Sequence, residues 1–290
     1  MASGKSNDIE LLAPAGNFES LMAAIQGGAD AVYFGVGKLN MRSGSSKNFS
    51  ISDLEEIRRI SDQYGVRAYV TLNTVMYNED LEYAREIIDA VKKNCIDAIV
   101  ASDFSIINYA RSVGVKVHIS TQANVSNIES LRFFASFADV IVLARELSLE
   151  QVRDLCKQVD EQNITGPGGD RVKIEAFAHG ALCMAISGKC YLSLHEKNKS
   201  ANRGECNQLC RRGYTVTEKE EGYQLDIDNE YIMSPKDLST ISFIDKLLDA
   251  GVKVFKIEGR GRPPEYVKTT AACYREAIDS WKAGTFSDQT

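Results

Sequence analysis

Two alternating sequence patterns restrict most strongly what this chain can fold into. Short apolar runs typical of buried parallel strands occur eight times, and each is followed by a segment with the apolar period of an amphipathic helix. Strand–helix units, each roughly 20 to 40 residues long, predict a closed (β/α)8 TIM-like barrel, with an open doubly wound sheet as the alternative. A chain of 290 residues is long enough for one such barrel, so residues 1–290 are predicted to form a single domain.

The predicted elements follow one another along the whole chain. The predicted strands are Glu10–Ala15, Ala31–Gly35, Arg67–Asn73, Ala98–Ser102, Lys116–Gln122, Val140–Arg145, Val172–Ala178 and Val254–Glu258. The predicted helices lie near residues 18–27, 51–63, 79–93, 103–112, 126–137, 148–159, 237–250 and 264–283. One interval, residues 180–233, has no clear helical period and follows the seventh strand. Because chemistry in these barrels takes place at the carboxyl ends of the strands, this insertion is expected to lie over the active face.

Four of the seven cysteines lie in this insertion, within 28 residues of one another. Six residues separate Cys183 from Cys190, and three separate Cys206 from Cys210. Four thiolates on one centre suit either a structural zinc ion or an iron–sulfur cluster. Neither pair has the two-residue separation of zinc knuckles, which favours a cluster. A regulatory disulfide pair is a further alternative.

The insertion also carries a local excess of positive charge in an acidic chain. The whole chain has 34 Lys and Arg against 40 Asp and Glu, a net charge of -6, whereas residues 189–212 contain six basic and two acidic residues, a charge of +4. The overall charge argues against a general nucleic-acid coat or a membrane-surface binder. The basic stretch is predicted to bind phosphate or an anionic substrate, with Tyr191 and Tyr214 available to stack on a base. A solvated loop is the alternative.

The chain has no sequence feature that directs it to a membrane or out of the cell. It contains no run of 18 apolar residues, and its first nine residues lack the apolar segment of a secretory signal. We therefore expect a cytoplasmic protein with no membrane partner.

Polar residues at the predicted strand ends form a second group of candidates, namely Asn73, Gln122, Arg145, Glu175, His179, Glu258 and Arg260. Glu175 and His179 lie on either side of the end of strand seven, so they are candidate acid/base catalysts or supports of a metal centre, with a structural histidine as the alternative. Arg260 and Arg262 follow strand eight, where barrels commonly bind phosphate or carboxylate, although a salt bridge at the helix start is also possible. The arginines predicted to bind substrate are Arg145, Arg203, Arg211, Arg260 and Arg262.

No other motif in the chain identifies a reaction. The sequence lacks H-E-x-x-H, G-x-S-x-G, S-x-x-K, a P-loop and a G-x-G-x-x-G after a strand. The remaining cysteines, Cys95, Cys156 and Cys273, stand singly within amphipathic patterns, which predicts buried packing residues. The clustered cysteines are therefore the prominent chemical feature.

Long stretches around these cysteines resemble the signature of the peptidase U32 family. The resemblance is carried by Glu175–Ser193 and Asn202–Arg212, and Glu10–Gly16, Gly28–Gly35, Ser120–Asn124, Ala144–Ser148 and Lys256–Arg260 agree with it. Members of this family often continue past the barrel into further segments, whereas this sequence ends at Thr290, just after the last predicted helix. If RNA recognition depends on those segments, we expect a separate protein partner to supply it.

The resemblance implies two kinds of activity. The family was named for collagenase-type peptidases, whereas its better understood bacterial members are iron–sulfur proteins that support hydroxylation of a tRNA wobble uridine, a ribosomal RNA cytidine or ubiquinone precursors. Some of the RNA modifiers take the hydroxyl group from prephenate. The tRNA-modifying branch is the most similar, so the resemblance implies formation of 5-hydroxyuridine in tRNA.

The resemblance also assigns roles to residues. The positions expected to hold a 4Fe-4S cluster are matched by Cys183, Cys190, Cys206 and Cys210. During aerobic purification such a cluster can be lost or replaced by zinc. In this hypothesis Arg145, Arg260 or Arg262 binds a carboxylate co-substrate such as prephenate, and the basic insertion binds RNA. A peptidase that uses Glu175 and His179 is the alternative, and a non-catalytic accessory iron–sulfur barrel is the third hypothesis.

Overall fold

The protein is a closed barrel of eight parallel strands surrounded by helices. A computed structural model describes residues 8–44, 46–227 and 233–287. Its strands are β1 Glu10–Pro14, β2 Ala31–Gly35, β3 Arg67–Leu72, β4 Ala98–Ala101, β5 Val117–Ile119, β6 Val140–Val142, β7 Lys173–Gly180, β8 Tyr214–Thr217, β9 Gln224–Ile227, β10 Leu238–Ser239 and β11 Val254–Ile257. Its helices are α1 Phe18–Gln26, α2 Leu54–Tyr64, α3 Leu81–Lys93, α4 Phe104–Ser112, α5 Ile128–Ala135, α6 Leu149–Glu161, α7 Leu192–Lys197, α8 Ile244–Ala250 and α9 Pro264–Ala283.

Strand pairing closes the sheet on itself. Strands β1 to β7 pair in chain order, and β11 pairs in parallel with both β7 and β1. The predicted (β/α)8 barrel is therefore confirmed, and the doubly wound sheet is excluded. The strands are apolar on both faces because one face packs in the barrel interior and the other packs under the helices.

The core has two layers that follow the alternation of side chains along each strand. A large outer cluster lies between strands and helices and includes Leu11, Val32 and Phe34. A small inner cluster fills the barrel and includes their neighbours Leu12 and Tyr33. Successive side chains of a strand point to opposite faces, so each strand contributes to both layers.

Side-chain oxygens fix the start of several helices. Asn17, Asn127 and Ser148 each accept a hydrogen bond from a backbone N–H in the first turn of the helix that follows. Gly65 ends α2 with a φ of 66°, a left-handed conformation that glycine adopts without steric cost. These local signals set where the barrel helices begin and end.

Several predicted elements are longer than the observed ones, and two of the differences show how the chain is arranged at the barrel mouth. The helix predicted over 237–250 begins only at Ile244, because Leu238 and Ser239 pair antiparallel with Gly180 and His179 at the end of β7. The fifth strand was predicted over 116–122, but β5 ends at Ile119 and a short helical turn follows over Thr121–Ala123. Both differences occur at the carboxyl ends of strands, where the chain turns to form the barrel mouth.

The insertion after β7 has two parts of opposite charge. Its first part contains α7, two short helical turns and the four clustered cysteines. Its second part is the exposed hairpin β8–β9, whose turn carries three glutamates, Glu218, Glu220 and Glu221. The predicted basic character is therefore confined to the first part. Residues 228–232 of the predicted insertion lie outside the described residues, as do 1–7 and 288–290 of the predicted domain.

Cysteines outside the insertion differ in burial. Cys156 is buried as predicted, whereas Cys95 and Cys273 are exposed, so the prediction of buried packing is wrong for these two. Cys95 lies just past the end of α3, and Cys273 faces outward from α9. None of the helices in the part of the chain described here is both long and apolar enough to cross a lipid bilayer.

A buried carboxyl group near the amino end of β1 makes stability depend on pH. Glu10 is almost fully buried, pairs with Arg67 and accepts a hydrogen bond from the Tyr69 hydroxyl at 3.2 Å. Burial raises the pKa of Glu10 to about 7 and outweighs the opposing effects of Arg67 and Tyr69. The fold therefore favours the protonated carboxyl group.

We expect Glu10→Gln to remove this dependence. A carboxyl group with a raised pKa stabilises the fold less as the pH rises from the ordinary pKa of 4.5 to the raised pKa of about 7. Across that window the free energy of unfolding of the variant should rise relative to that of the wild type by on the order of 3 kcal/mol. Urea unfolding of both proteins at about pH 5 and about pH 8 measures the difference. A difference that stays constant with pH would contradict the prediction.

Candidate functional site

The mouth of the barrel holds a cavity that all four clustered cysteines line. We call it the cysteine cavity; its lining includes Cys183, Cys190, Cys206, Cys210, Tyr33, Phe177, Arg42, Arg145, Arg211, Lys256, Glu258 and Arg260. The barrel strands supply its lower wall, and the insertion covers it. The predicted position of the insertion over the carboxyl ends of the strands agrees with this arrangement.

The four thiols form one chemical environment. Cys183 is exposed, the other three are half-buried, and all four are free, with no disulfide between them. Burial raises the pKa of Cys210, and the nearby thiolates of Cys206, Cys183 and Cys190 raise it further. Thiolates that repel one another in this way favour a cationic group between them, because it would offset their charge.

Two kinds of metal group take four cysteine thiolates as their ligands. Four thiolates around one zinc ion lie roughly 3.8 Å apart, given a Zn–S distance of about 2.3 Å. Within the described residues, no three Cys, His, Asp or Glu side chains come close enough to share one metal ion. In a four-iron cluster each thiolate binds a different iron, so the ligands stand farther apart. The donor set of four cysteine thiols suits such a cluster, as it suits a structural zinc ion.

Backbone and side-chain contacts hold the cysteine segment against the barrel loops. The Asn202 side-chain oxygen accepts a hydrogen bond from the Cys190 N–H at 3.2 Å, and the Asn202 carbonyl accepts one from the Val75 N–H at 3.1 Å. Arg203 forms an ion pair with the buried Asp80 and lies over the Tyr77 ring at 4.2 Å. Arg203, predicted to bind substrate, is therefore an anchor of the insertion and does not line the cysteine cavity.

The residue after this anchor must be small. Gly204 has a φ of 86°, and a Cβ there would lie 2.2 Å from the Asn40 carbonyl oxygen and 2.4 Å from Ser43 Oγ. Its carbonyl accepts a hydrogen bond from the Gly44 N–H at 3.1 Å. This close approach fixes the segment just before Cys206.

Glu258 is the electrostatic centre of the cavity. Its Oε1 accepts hydrogen bonds from Arg42 Nη2 at 2.7 Å and Arg42 Nε at 2.9 Å, and its Oε2 accepts one from the Tyr33 hydroxyl at 3.1 Å. Burial alone would raise the pKa of Glu258, but the guanidinium groups of Arg42, Arg260 and Arg145 outweigh it and hold the pKa at about 2. The carboxylate therefore stays ionised and balances part of a cationic cluster.

Two of the arginines predicted to bind substrate lie beside Glu258, Arg260 buried and Arg145 half-buried. Arg260 Nη1 donates to Asn40 Oδ1 at 2.9 Å and to Thr71 Oγ1 at 2.8 Å, so Arg260 is largely engaged by the barrel. Arg145 makes one hydrogen bond, to the Ala181 carbonyl at 3.1 Å. Its guanidinium carbon lies 4.0 Å from the centre of the Phe177 ring. Burial lowers the pKa of Arg145, which marks a cation with few charged partners of its own.

The predicted catalytic residue Glu175 lies below the cavity. It is fully buried, and its Oε1 pairs with Lys256 Nζ at 2.8 Å. Lys256 lines the cavity and lies 4.4 Å from the centre of the Tyr33 ring. Glu175 therefore reaches a substrate only through Lys256.

The other predicted catalytic residue, His179, faces away from the cavity. Its ring packs against Tyr266 and Tyr274, with the Tyr274 hydroxyl 3.4 Å from Nδ1. A register irregularity explains the direction, because Phe177 pairs with Lys256 but His179 pairs with Ile257, which leaves one extra residue in β7. The structure does not bring Glu175 and His179 together.

A second cavity adjoins the first on its solvent side. We call it the arginine cavity; it is lined by Arg42, Arg211, Arg212, Arg262, Ala181, Asn207, Gln208, Glu258, Gly259 and Gly261. Asp237 pairs with Arg211 Nη1 at 2.7 Å and with Arg262 Nη2 at 3.0 Å. Arg211 and Arg262, predicted to bind substrate, therefore stand at this cavity.

Sequence reasoning missed two cavity residues. Lys256 is a charged residue in an otherwise apolar strand, on the same face as Val254 of the inner cluster, and this alternation would have placed it inside the barrel. Arg42 follows β2 in a loop without periodicity, and only its position after a strand end marks it. Neither signal is specific without knowledge of the strand register.

The fold and the site define a (β/α)8-barrel protein whose mouth is covered by a thiol-bearing insertion and lined with cations. The chain belongs to Peptidase family U32, whose family model matches residues 16–290. This membership confirms the resemblance seen in the sequence.

Relatives in this family carry two kinds of name. A collagenase of Porphyromonas gingivalis (strain ATCC BAA-308 / W83) is 59% identical over 283 residues, which cover 98% of this chain and 68% of the relative. The tRNA hydroxylation protein P1 of Bacillus subtilis (strain 168) is 37% identical over 281 residues, which cover 94% of this chain and 64% of the relative. The chain thus spans about two thirds of the length of these relatives.

A solved structure agrees on the fold. The U32 peptidase Mk0906 superposes with a TM-score of 0.53 at 13% sequence identity, over 89% of this chain and 95% of that one. At this identity the likeness concerns the barrel alone.

Proposed function

We propose that the chain is an iron–sulfur enzyme that supports hydroxylation of RNA, with the tRNA wobble uridine as its target and 5-hydroxyuridine as its product. The observation that carries the proposal is the meeting of four free cysteines in one cationic cavity at the barrel mouth. The similarity to a protein named for tRNA hydroxylation supports it. Because tRNA is modified in the cytoplasm, the proposal places the protein there.

In this proposal Cys183, Cys190, Cys206 and Cys210 hold a 4Fe-4S cluster. Such a cluster would supply one-electron chemistry next to the bound substrate. The anchors described above keep the thiols in place, since Asn202 binds the Cys190 backbone and Gly204 packs against the loop after β2. The insertion covers the cavity at the barrel mouth.

The cations of the cavity select an acidic co-substrate. Arg145 has one backbone partner, and its buried Nε has no hydrogen-bond partner among the described residues. Its guanidinium fork therefore has N–H groups available for two parallel hydrogen bonds to a carboxylate. Phe177 under the guanidinium and Tyr33 opposite provide apolar surface for the rest of a ring-containing acid such as prephenate.

Two linked measurements test the proposal. The protein, purified without oxygen, is expected to contain about four irons and four sulfides per chain and to absorb broadly near 400 nm. Nucleoside analysis of tRNA from a strain lacking the gene is expected to show loss of 5-hydroxyuridine derivatives, and the wild-type gene should restore them. One zinc per chain with no sulfide, or tRNA that is unchanged by the deletion, would contradict the proposal.

Proteolysis is the second candidate, favoured by the 59% identity to a protein named collagenase. In this reading Glu175 and His179 take part in peptide hydrolysis, although they lie apart, with Glu175 buried beneath Lys256. Cleavage of collagen or gelatin by the purified chain, absent in Glu175→Ala, would support it. Equal activity in the two preparations would assign the cleavage to a contaminant. A third candidate, an accessory barrel acting with a protein partner, requires that the isolated chain modify no RNA.

A further inference from the structure

The arginine cavity lies between the two loops that bind phosphate in many barrels. One wall includes the insertion residues Asn207, Gln208, Arg211 and Arg212, which follow the seventh barrel strand. The other includes Gly259, Gly261 and Arg262, which follow the eighth. Loops in these two positions commonly form the phosphate site of (β/α)8 barrels. The location therefore favours an anionic ligand.

The charges around this cavity do not cancel. Arg42 is neutralised by Glu258, whereas Arg211 and Arg262 share the single carboxylate of Asp237. The Arg212 side chain is exposed and makes no ion pair or hydrogen bond with the residues that the structure describes. Four guanidinium groups thus face two carboxylates, which leaves two positive charges. Guanidinium groups match phosphate oxygens in geometry as well as in charge.

The two cavities are continuous, so one ligand can occupy both. They share Arg42, Ala181, Gln208, Arg211 and Glu258 in their linings. The cysteine cavity carries the polar side chains of Asn73, Ser120 and Gln122, which suit the edge of a flat base, and the arginine cavity is polar and open. A nucleotide has both of these parts, a planar base and an adjacent charged phosphate.

We propose that the arginine cavity is a phosphate subsite that holds one backbone phosphate beside the nucleotide whose base enters the cysteine cavity. This inference rests on the proposed function and specifies how the same site recognises RNA. Arg212 and Arg262 supply the uncompensated charge, and Arg211 borders both cavities. The subsite positions the strand and does not read its sequence.

Neutral phosphate replacements test the subsite. Fluorescence anisotropy measures binding of labelled anticodon stem-loop RNAs, each with one methylphosphonate linkage, to the full chain purified without oxygen. For the wild type we expect a methylphosphonate at one linkage next to the target uridine to lower the affinity about tenfold. The same replacement should reduce the slope of log affinity against log salt concentration by about 0.7. The Arg212→Ala/Arg262→Ala variant should bind unmodified RNA about tenfold more weakly and lose nothing further at that linkage.

The control variant is Arg59→Ala/Arg153→Ala, which removes the same charge from exposed positions on α2 and α6. It should respond to the methylphosphonate as the wild type does. The subsite would be overturned if the methylphosphonate weakened RNA binding by Arg212→Ala/Arg262→Ala as much as it weakens binding by the wild type. It would also be overturned if the control variant bound unmodified RNA as weakly as Arg212→Ala/Arg262→Ala does.

Separate readouts distinguish failure of the subsite from failure of the proposed function. If the wild type hydroxylates tRNA and binds the modified RNAs uniformly, the subsite is wrong and the function stands. If the wild type binds no RNA, but calorimetry detects inorganic phosphate that the Arg212/Arg262 variant does not bind, the ligand is a small phosphorylated molecule, and both the RNA subsite and the proposed function fail.

Discussion

Cys206→Ser is expected to abolish tRNA hydroxylation, with a fall of about a hundredfold or more in 5-hydroxyuridine content, because an alcohol is a far poorer ligand for iron than a thiolate. Cys206 lies in the cysteine cavity two residues after the anchored Gly204, so no other cysteine of the chain can take its place without moving the segment. Nucleoside analysis of tRNA from cells that carry only the variant measures the loss. Iron and sulfide contents of the purified variant should fall in parallel.

Cys273→Ser provides the matched control for this prediction. Cys273 is exposed on α9, outside the cysteine cavity, so the same chemical change there should leave hydroxylation and iron content at wild-type values. Unchanged modified uridine in the Cys206→Ser strain would remove the four-cysteine centre from the reaction.

Glu258→Gln is expected to destabilise the protein by about 3 kcal/mol, since it leaves the buried Arg260 and the half-buried Arg42 and Arg145 without their common anion. Arg42 loses its two charge-assisted hydrogen bonds, and Arg260 and Arg145 lose the carboxylate that offsets their repulsion. Chemical denaturation of both proteins at neutral pH measures the difference. The control Glu129→Gln breaks an exposed pair with Arg132 and should cost less than about 1 kcal/mol.

The pH dependence of this variant provides a second check. The pKa of Glu258 is lowered from 4.5 to about 2, so its stabilising effect is complete above pH 4.5 and is lost as the pH falls toward 2. The difference in free energy of unfolding between the wild type and Glu258→Gln should therefore shrink as the pH falls from 4.5 to about 2. An advantage that persists unchanged at about pH 2 would show that the charge of Glu258 is not the cause.

The sequence predicts the barrel well because hydrophobic periodicity is a local property. Both layers of the core follow from the alternation within each strand, and capping residues such as Ser148 mark helix starts within a few residues. The four cysteines are also predictable, because they lie in one insertion whose place after the seventh strand puts it at the mouth.

The sequence does not predict which arginines remain available, because that depends on partners far away in the chain. Arg203 looks like a substrate ligand until Asp80 is found beside it, 123 residues earlier. His179 looks like a partner of Glu175 until the extra residue in β7 turns it toward α9. Register irregularities and distant ion pairs have no local signal, and together they account for the differences between the predicted and the observed site.

The order in which the chain is synthesised has a consequence for how the site is assembled. All four cysteines leave the ribosome before Val254, whereas β11 and the residues after it supply Lys256, Glu258 and Arg260. A nascent chain therefore carries all four thiols of the cysteine cavity while the barrel is still open between β7 and β1. Docking of β11 then completes the cationic wall beneath them. A metal group delivered before that step meets a barrel that lacks its last strand, and one delivered afterwards must enter through the finished mouth.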